Sequence, residues 1–167
     1  MRDACINKRE LALIDLLIST GLRVSEISNI LISEIDWEER TIIIHGKGGK
    51  DRIVPFSVRC KKHLQEYLIE RNYGLSPFLF CSSKFPHNKL CKCSIGKIVK
   101  DIGYRIGLQD ITVHCFRRWF ATDLNKKGVD PITIQEILGH SSFDTTQKHY
   151  LNNSTNKICY IHNIYAS

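Results

Sequence analysis

His114-Cys115-Phe116-Arg117-Arg118-Trp119-Phe120-Ala121-Thr122, then Leu138-Gly139-His140, then Tyr150, is the stretch on which the rest of the chain is organised. Val113, Phe116, Phe120 and Leu124 recur at helical spacing and predict a helix reaching about Lys126-Lys127-Gly128. Asp130-Pro131 opens a second helix carrying Ile132, Ile134 and Ile137, with proline in its favoured first turn. Gly139 ends that run, where a residue without a Cβ turns the backbone freely. His114 and Arg117 lie three apart and so share one helical face. Imidazole, guanidinium and phenol gathered in this way suit phosphoryl transfer: a cation to hold phosphate, a base, and a hydroxyl to attack. Each residue alone has a plainer reading, His114 as a core histidine, Arg117 as a phosphate contact, His140 as a helix cap.

The chain of 167 residues carries 24 Lys+Arg against 17 Asp+Glu, a formal charge of +7. That balance favours a polyanionic partner without separating nucleic acid from a membrane surface. No apolar run approaches the roughly 18 residues needed to cross a bilayer, and the first residues lack a signal peptide's apolar segment. Seven cysteines, an odd number without a secretion signal, read as reduced intracellular thiols.

Upstream, Leu11, Ile14, Leu17 and Ile18 predict a helix punctuated by Thr20-Gly21. A second helix begins near Arg23-Val24-Ser25-Glu26, with Ile27, Ile30 and Leu31 as its apolar stripe. Arg23 and Glu26 taken alone are an ion pair on a helix surface. Thr41-Ile42-Ile43-Ile44 and Arg52-Ile53-Val54-Pro55 are strands of a hairpin whose tip is Gly46-Lys47-Gly48-Gly49-Lys50-Asp51. A phosphate-cradling ATP loop needs Ser or Thr after its lysine and then a helix. Here Asp51 and a strand follow, so that reading fails; a solvated turn remains a fair reading for Lys50, and a hairpin lysine reaching into a nucleic-acid groove is the sharper reading for Lys47.

Ser57 starts a helix with Val58, Leu64, Tyr67 and Leu68 inward, ending near Asn72-Tyr73-Gly74; Phe78-Leu79-Phe80 is a buried strand or anchor. In the loop over 81–93, Cys81, His87, Cys91 and Cys93 invite zinc, but the Cys-x-Cys step is tighter than usual and a second paired element is lacking. Ser94 then caps a helix with Ile95, Ile98, Val99, Ile102 and Ile106 on its apolar stripe, stopped by Gly107.

In this order the pieces resemble the catalytic domain of the tyrosine recombinases, the phage integrase family. The matching motifs are Thr20-Gly21-Leu22-Arg23-Val24-Ser25-Glu26, Gly46 to Pro55, His114-Cys115-Phe116-Arg117, Leu138-Gly139-His140 and Thr145-Thr146 before Tyr150. Together they span roughly residues 8 to 152. The resemblance implies an α+β fold, mostly helical with a small antiparallel sheet. It implies site-specific DNA recombination or integration through a 3′-phosphotyrosyl intermediate. Arg23 and Arg117 would grip the scissile phosphate and Tyr150 would attack it. Lys47 would protonate the leaving oxygen, His114 would assist proton transfer, His140 would hydrogen-bond the phosphate, and Glu26 would orient Arg23. No cofactor and no metal are implied, because cationic side chains supply the charge a metal would.

The resemblance has departures. Relatives commonly place the tyrosine nine residues past the Leu-Gly-His histidine; here that is His149, and Tyr150 is the tenth. Residues 1–152 are read as the catalytic domain and 153–167 as a tail, docking on a neighbouring protomer or folding back on its own domain. The N-terminal core-binding domain usual in the family is expected to be absent. Partners implied are double-stranded DNA and no membrane, with a monomer in solution, a tetramer on paired sites and a cytoplasmic, DNA-associated location. Two alternatives share these features: a DNA-binding module without cleavage, and a type IB topoisomerase-like enzyme that relaxes DNA.

Overall fold

A computed structural model describes residues 1–46, 51–71 and 76–139. Its centre is α1 (Lys8–Thr20), whose N-cap Asn7 accepts a hydrogen bond from the Glu10 amide at 2.9 Å. Ala12, Leu13, Ile14, Leu16 and Leu17 are fully enclosed, so this helix is apolar around most of its circumference. Each of the leucine and isoleucine side chains contributes about 1.5–3 kcal/mol on burial. Against α1 pack α3 (Val58–Arg71), α4 (Lys92–Arg105) and α5 (Val113–Lys126).

Between α1 and α3 lie α2 (Val24–Asn29) and an antiparallel sheet in the order β1 (Ile35–Asp36), β2 (Thr41–His45), β3 (Asp51–Pro55). Ile42 pairs with Val54 and Ile44 with Arg52, so these four point to the same face. Ile42, Ile44 and Val54 join the main core there, while Ile43 and Ile53 face outward. The expected mostly helical architecture with a small antiparallel sheet is thus the one observed, with β1 as an added edge strand.

A second, smaller core joins α5 to α6 (Pro131–Leu138) through Phe120, Leu124, Val129, Ile134, Ile137 and Leu138. Asp130 caps α6, accepting from the Thr133 amide at 2.9 Å, with Pro131 in the first turn as expected.

Four local expectations need correction. α2 stops at Asn29, so Leu31 lies beyond the helix, where it pairs with Phe78 in an isolated bridge. Val58 is 66% exposed because it lies off the α3 face of Cys60, Leu64 and Tyr67 that packs on the core. α4 begins at Lys92 rather than Ser94; the Cys91 sulfur is the cap, accepting from the Ser94 amide at 3.4 Å. Ile106 and Ile132 are exposed at helix ends, outside the apolar stripes assigned to them. The expected end of α3 near residues 72–74 lies outside the described residues.

Gly21 closes α1 in a left-handed conformation (φ 59°), and a Cβ there would sit 2.8 Å from the Phe120 ring. The turn from α1 to α2 therefore fits against α5 only with glycine. Gly21→Ala should lower stability by about 1–3 kcal/mol from backbone strain and crowding. The check is the urea midpoint, which should fall with an unchanged m value.

Candidate active site

Arg23 is the N-cap of α2, fixed by its own backbone: its amide donates to Glu26 Oε2 at 2.8 Å. Its Nη1 donates to Glu26 Oε1 at 2.9 Å. The opposite end of the site is the C-terminus of α6, where the last carbonyls lack helical partners. Arg23 reaches them, donating to Leu138 O at 3.4 Å and to Gly139 O at 2.9 Å.

Arg117 comes to the same place from α5, whose Phe116 and Phe120 anchor it in the two cores. Arg117 is 8% exposed, and its guanidinium donates to Gly21 O at 3.0 Å and Leu138 O at 2.6 Å. Burial, then the charge of Arg23 and, more weakly, of Arg52, bring its pKa down to about 10, while Glu26 opposes the shift. It stays protonated at neutral pH. Arg117 thus sits in a positive environment that an anion would relieve.

Glu26 is no surface partner. Its side chain is 9% exposed and is shared with a third arginine, Arg52 of β3, whose Nη2 donates to Oε2 at 2.9 Å. Burial by itself would raise the Glu26 carboxyl; hydrogen bonds from Arg52 and the Arg23 amide, with the charge of Arg52, hold it below its ordinary value of 4.5. Three guanidiniums around one carboxylate leave the site net positive.

The remaining predicted residues divide cleanly. His114 is exposed in the first turn of α5, one turn before Arg117. Lys47, His140 and Tyr150 lie outside the described residues. The strands entering the Lys47 loop are closed by His45, whose ring bonds Asp51 at 2.9 Å and Glu34 at 2.7 Å. Of the zinc candidates, Cys81 is buried while Cys91 and Cys93 are exposed. Among the described residues no group of three potential ligands is assembled.

The phage integrase family model matches residues 1–157. The chain belongs to the phage integrase family. Tyrosine recombinase XerA of Pyrococcus horikoshii is 38% identical over 143 residues, covering 84% of this chain and 50% of that protein. Tyrosine recombinase XerC of Anoxybacillus flavithermus is 37% identical over 153 residues, covering 87% of this chain and 50% of that protein. The crystal structure of XerA recombinase superposes with a TM-score of 0.75 at 30% identity, covering 93% of this chain and 60% of the other. XerH site-specific recombinase bound to difH in a pre-cleavage complex gives 0.71 at 31% identity, covering 89% and 46%. This integrase-family chain spans about half the length of the curated relatives it matches.

Arg52 is the site residue that pattern reading missed. A signal was present: it shares parity with Val54 on a strand whose inward face is otherwise apolar. A guanidinium placed there must find a carboxylate or carbonyls.

Because folding lowers the Glu26 pKa, its contribution is complete above the unfolded value and is lost as pH falls through the folded one. Its window of loss therefore opens below pH 4.5. Glu26→Gln should be less stable than wild type at about pH 7, with the gap shrinking towards about pH 3. Urea midpoints at the two pH values check this, and a constant gap would refute it.

Proposed function

We propose that this chain carries out site-specific DNA recombination through a covalent 3′-phosphotyrosyl intermediate. The observation that carries the proposal is the convergence of Arg23 and Arg117, from separate helices, on the end of α6 in a net positive site. Two such guanidiniums supply planar, charge-assisted donors to the non-bridging oxygens of a phosphodiester as negative charge builds there. The likeness to recombinases solved on DNA, at 31% and 32% identity, supports duplex DNA as the partner.

Tyr150 Oη, its phenol proton passing to His114, attacks the phosphorus, the bond to the 5′ oxygen breaks, and that oxygen takes a proton from Lys47. The Tyr150 ester conserves the phosphodiester's energy, so attack by a second 5′ hydroxyl reverses the step without ATP. His114 assists proton transfer, as an imidazole does near neutral pH. His140, next after Gly139, hydrogen-bonds the phosphate. Residues 1–152 form the catalytic domain and 153–167 a tail; exchange uses four copies on two paired sites, and the free protein is a monomer.

The decisive assay is a library of nicked duplexes whose short 5′ fragment diffuses away after cleavage, trapping the adduct. Wild type should give a covalent protein–DNA band on denaturing gels, and Tyr150→Phe none. Arg23→Ala should retain binding yet lower the rate roughly 10²–10³-fold. A band surviving in Tyr150→Phe would move the nucleophile elsewhere. Binding without any band on any duplex would favour a module that does not cleave.

A further inference from the structure

Arg52 lies in β3, outside both catalytic arginine motifs, yet it touches each wall of the site. Its side chain is 15% exposed. Besides Nη2 on Glu26 Oε2, its Nε donates to Ile137 O at 3.3 Å. Its guanidinium also occupies the space where a side chain at position 139 would begin. A Cβ there would come within 2.9 Å of Nη1, 3.0 Å of Cζ and 3.1 Å of Nε, at a backbone φ of 65°. The glycine between Leu138 and His140 therefore does two things: it takes up the left-handed turn and leaves space for a guanidinium.

We propose that Arg52 is a positioning residue: it holds Glu26 and the Gly139 turn in the register that orients Arg23. This rests on the recombinase reading for its consequence in the reaction, but not for the contacts themselves. Arg23 takes Glu26 Oε1 and Arg52 takes Oε2, so one carboxylate is divided between two cations. Divided in this way, Glu26 aims Arg23 without neutralising it, and Arg23, 34% exposed, keeps charge for a phosphate. Arg52 also ties the strand leaving the hairpin to the turn that leads into His140. A lysine at position 52 would keep the charge but lose the planar fork that spans Glu26 and Ile137 O together.

Two measurements on the full chain test this. The first is single-turnover cleavage of the nicked duplex at saturating protein. Arg52→Lys and Arg52→Met should each cleave roughly 100-fold more slowly, as expected for a misplaced reacting group. DNA affinity should stay within about threefold, because Arg52 makes no phosphate contact of its own in this assignment. Wild-type cleavage by Arg52→Lys would overturn the positioning role. The second needs no activity: a thermal double-mutant cycle over Gly139→Ala and Arg52→Ala. The loss of Tm from Gly139→Ala should be roughly halved in the Arg52→Ala background, where the new methyl has room. Additive losses would overturn the contact. If wild type forms no covalent product, the recombinase reading fails while the cycle still decides the Arg52–Gly139 arrangement.

Discussion

Three arginines donate to the carbonyls that end α6. Arg52 takes Ile137 O, Arg23 and Arg117 share Leu138 O, and Arg23 takes Gly139 O. A helix C-terminus carries partial negative charge, so cations are the natural caps for it. Much of the rest serves this arrangement. α1 and α5 bury the apolar side chains that hold Arg117 in place, and the Gly21 turn lends its carbonyl to that arginine. The β-sheet delivers Arg52 from the far side.

Charge balance suits such a cluster to receive an anion as well as to brace the fold. A half-unit of negative charge at the helix end and one ionised Glu26 do not offset three guanidiniums. The excess remains where Arg23 is still partly open to solvent. An anion entering there would supply the missing charge and meet donors already oriented by backbone carbonyls. Donors fixed beforehand are the economical route to stabilising charge that develops only during reaction.

Reading the chain alone went furthest where periodicity and punctuation coincide. Val113, Phe116, Phe120 and Leu124 defined α5, Asp130-Pro131 defined the start of α6, and the β-branched run Thr41–Ile44 defined β2. Errors fell at element ends. Val58 is apolar but lies off the α3 face of Cys60, Leu64 and Tyr67, and apolarity alone does not say which face a residue shares. Cys91 displaced Ser94 as a cap because a sulfur accepts a weak hydrogen bond, a choice that propensity does not anticipate. Arg23 and Glu26 were legible as neighbours three apart. The burial of the Glu26 side chain was not, because it depends on Arg52 of β3 reaching it across the fold.

By itself the sequence determined which stretches are helix or strand, which residues face inward and which chemical groups are on offer. Those properties arise from contacts within a few residues, where spacing maps directly onto geometry. Only the tertiary structure decided that Arg52 shares Glu26 with Arg23 and that Gly139 is pressed beneath its guanidinium. It also decided that Arg117 is buried against Gly21 and Leu138. The hydrogen bonds from Arg52 and Arg23 to α6 join residues 85 to 116 apart along the chain. Over such separations neither period nor propensity says which donor meets which carbonyl. That pairing is set by how the elements pack, because the great majority of buried polar groups find a partner only in the folded chain.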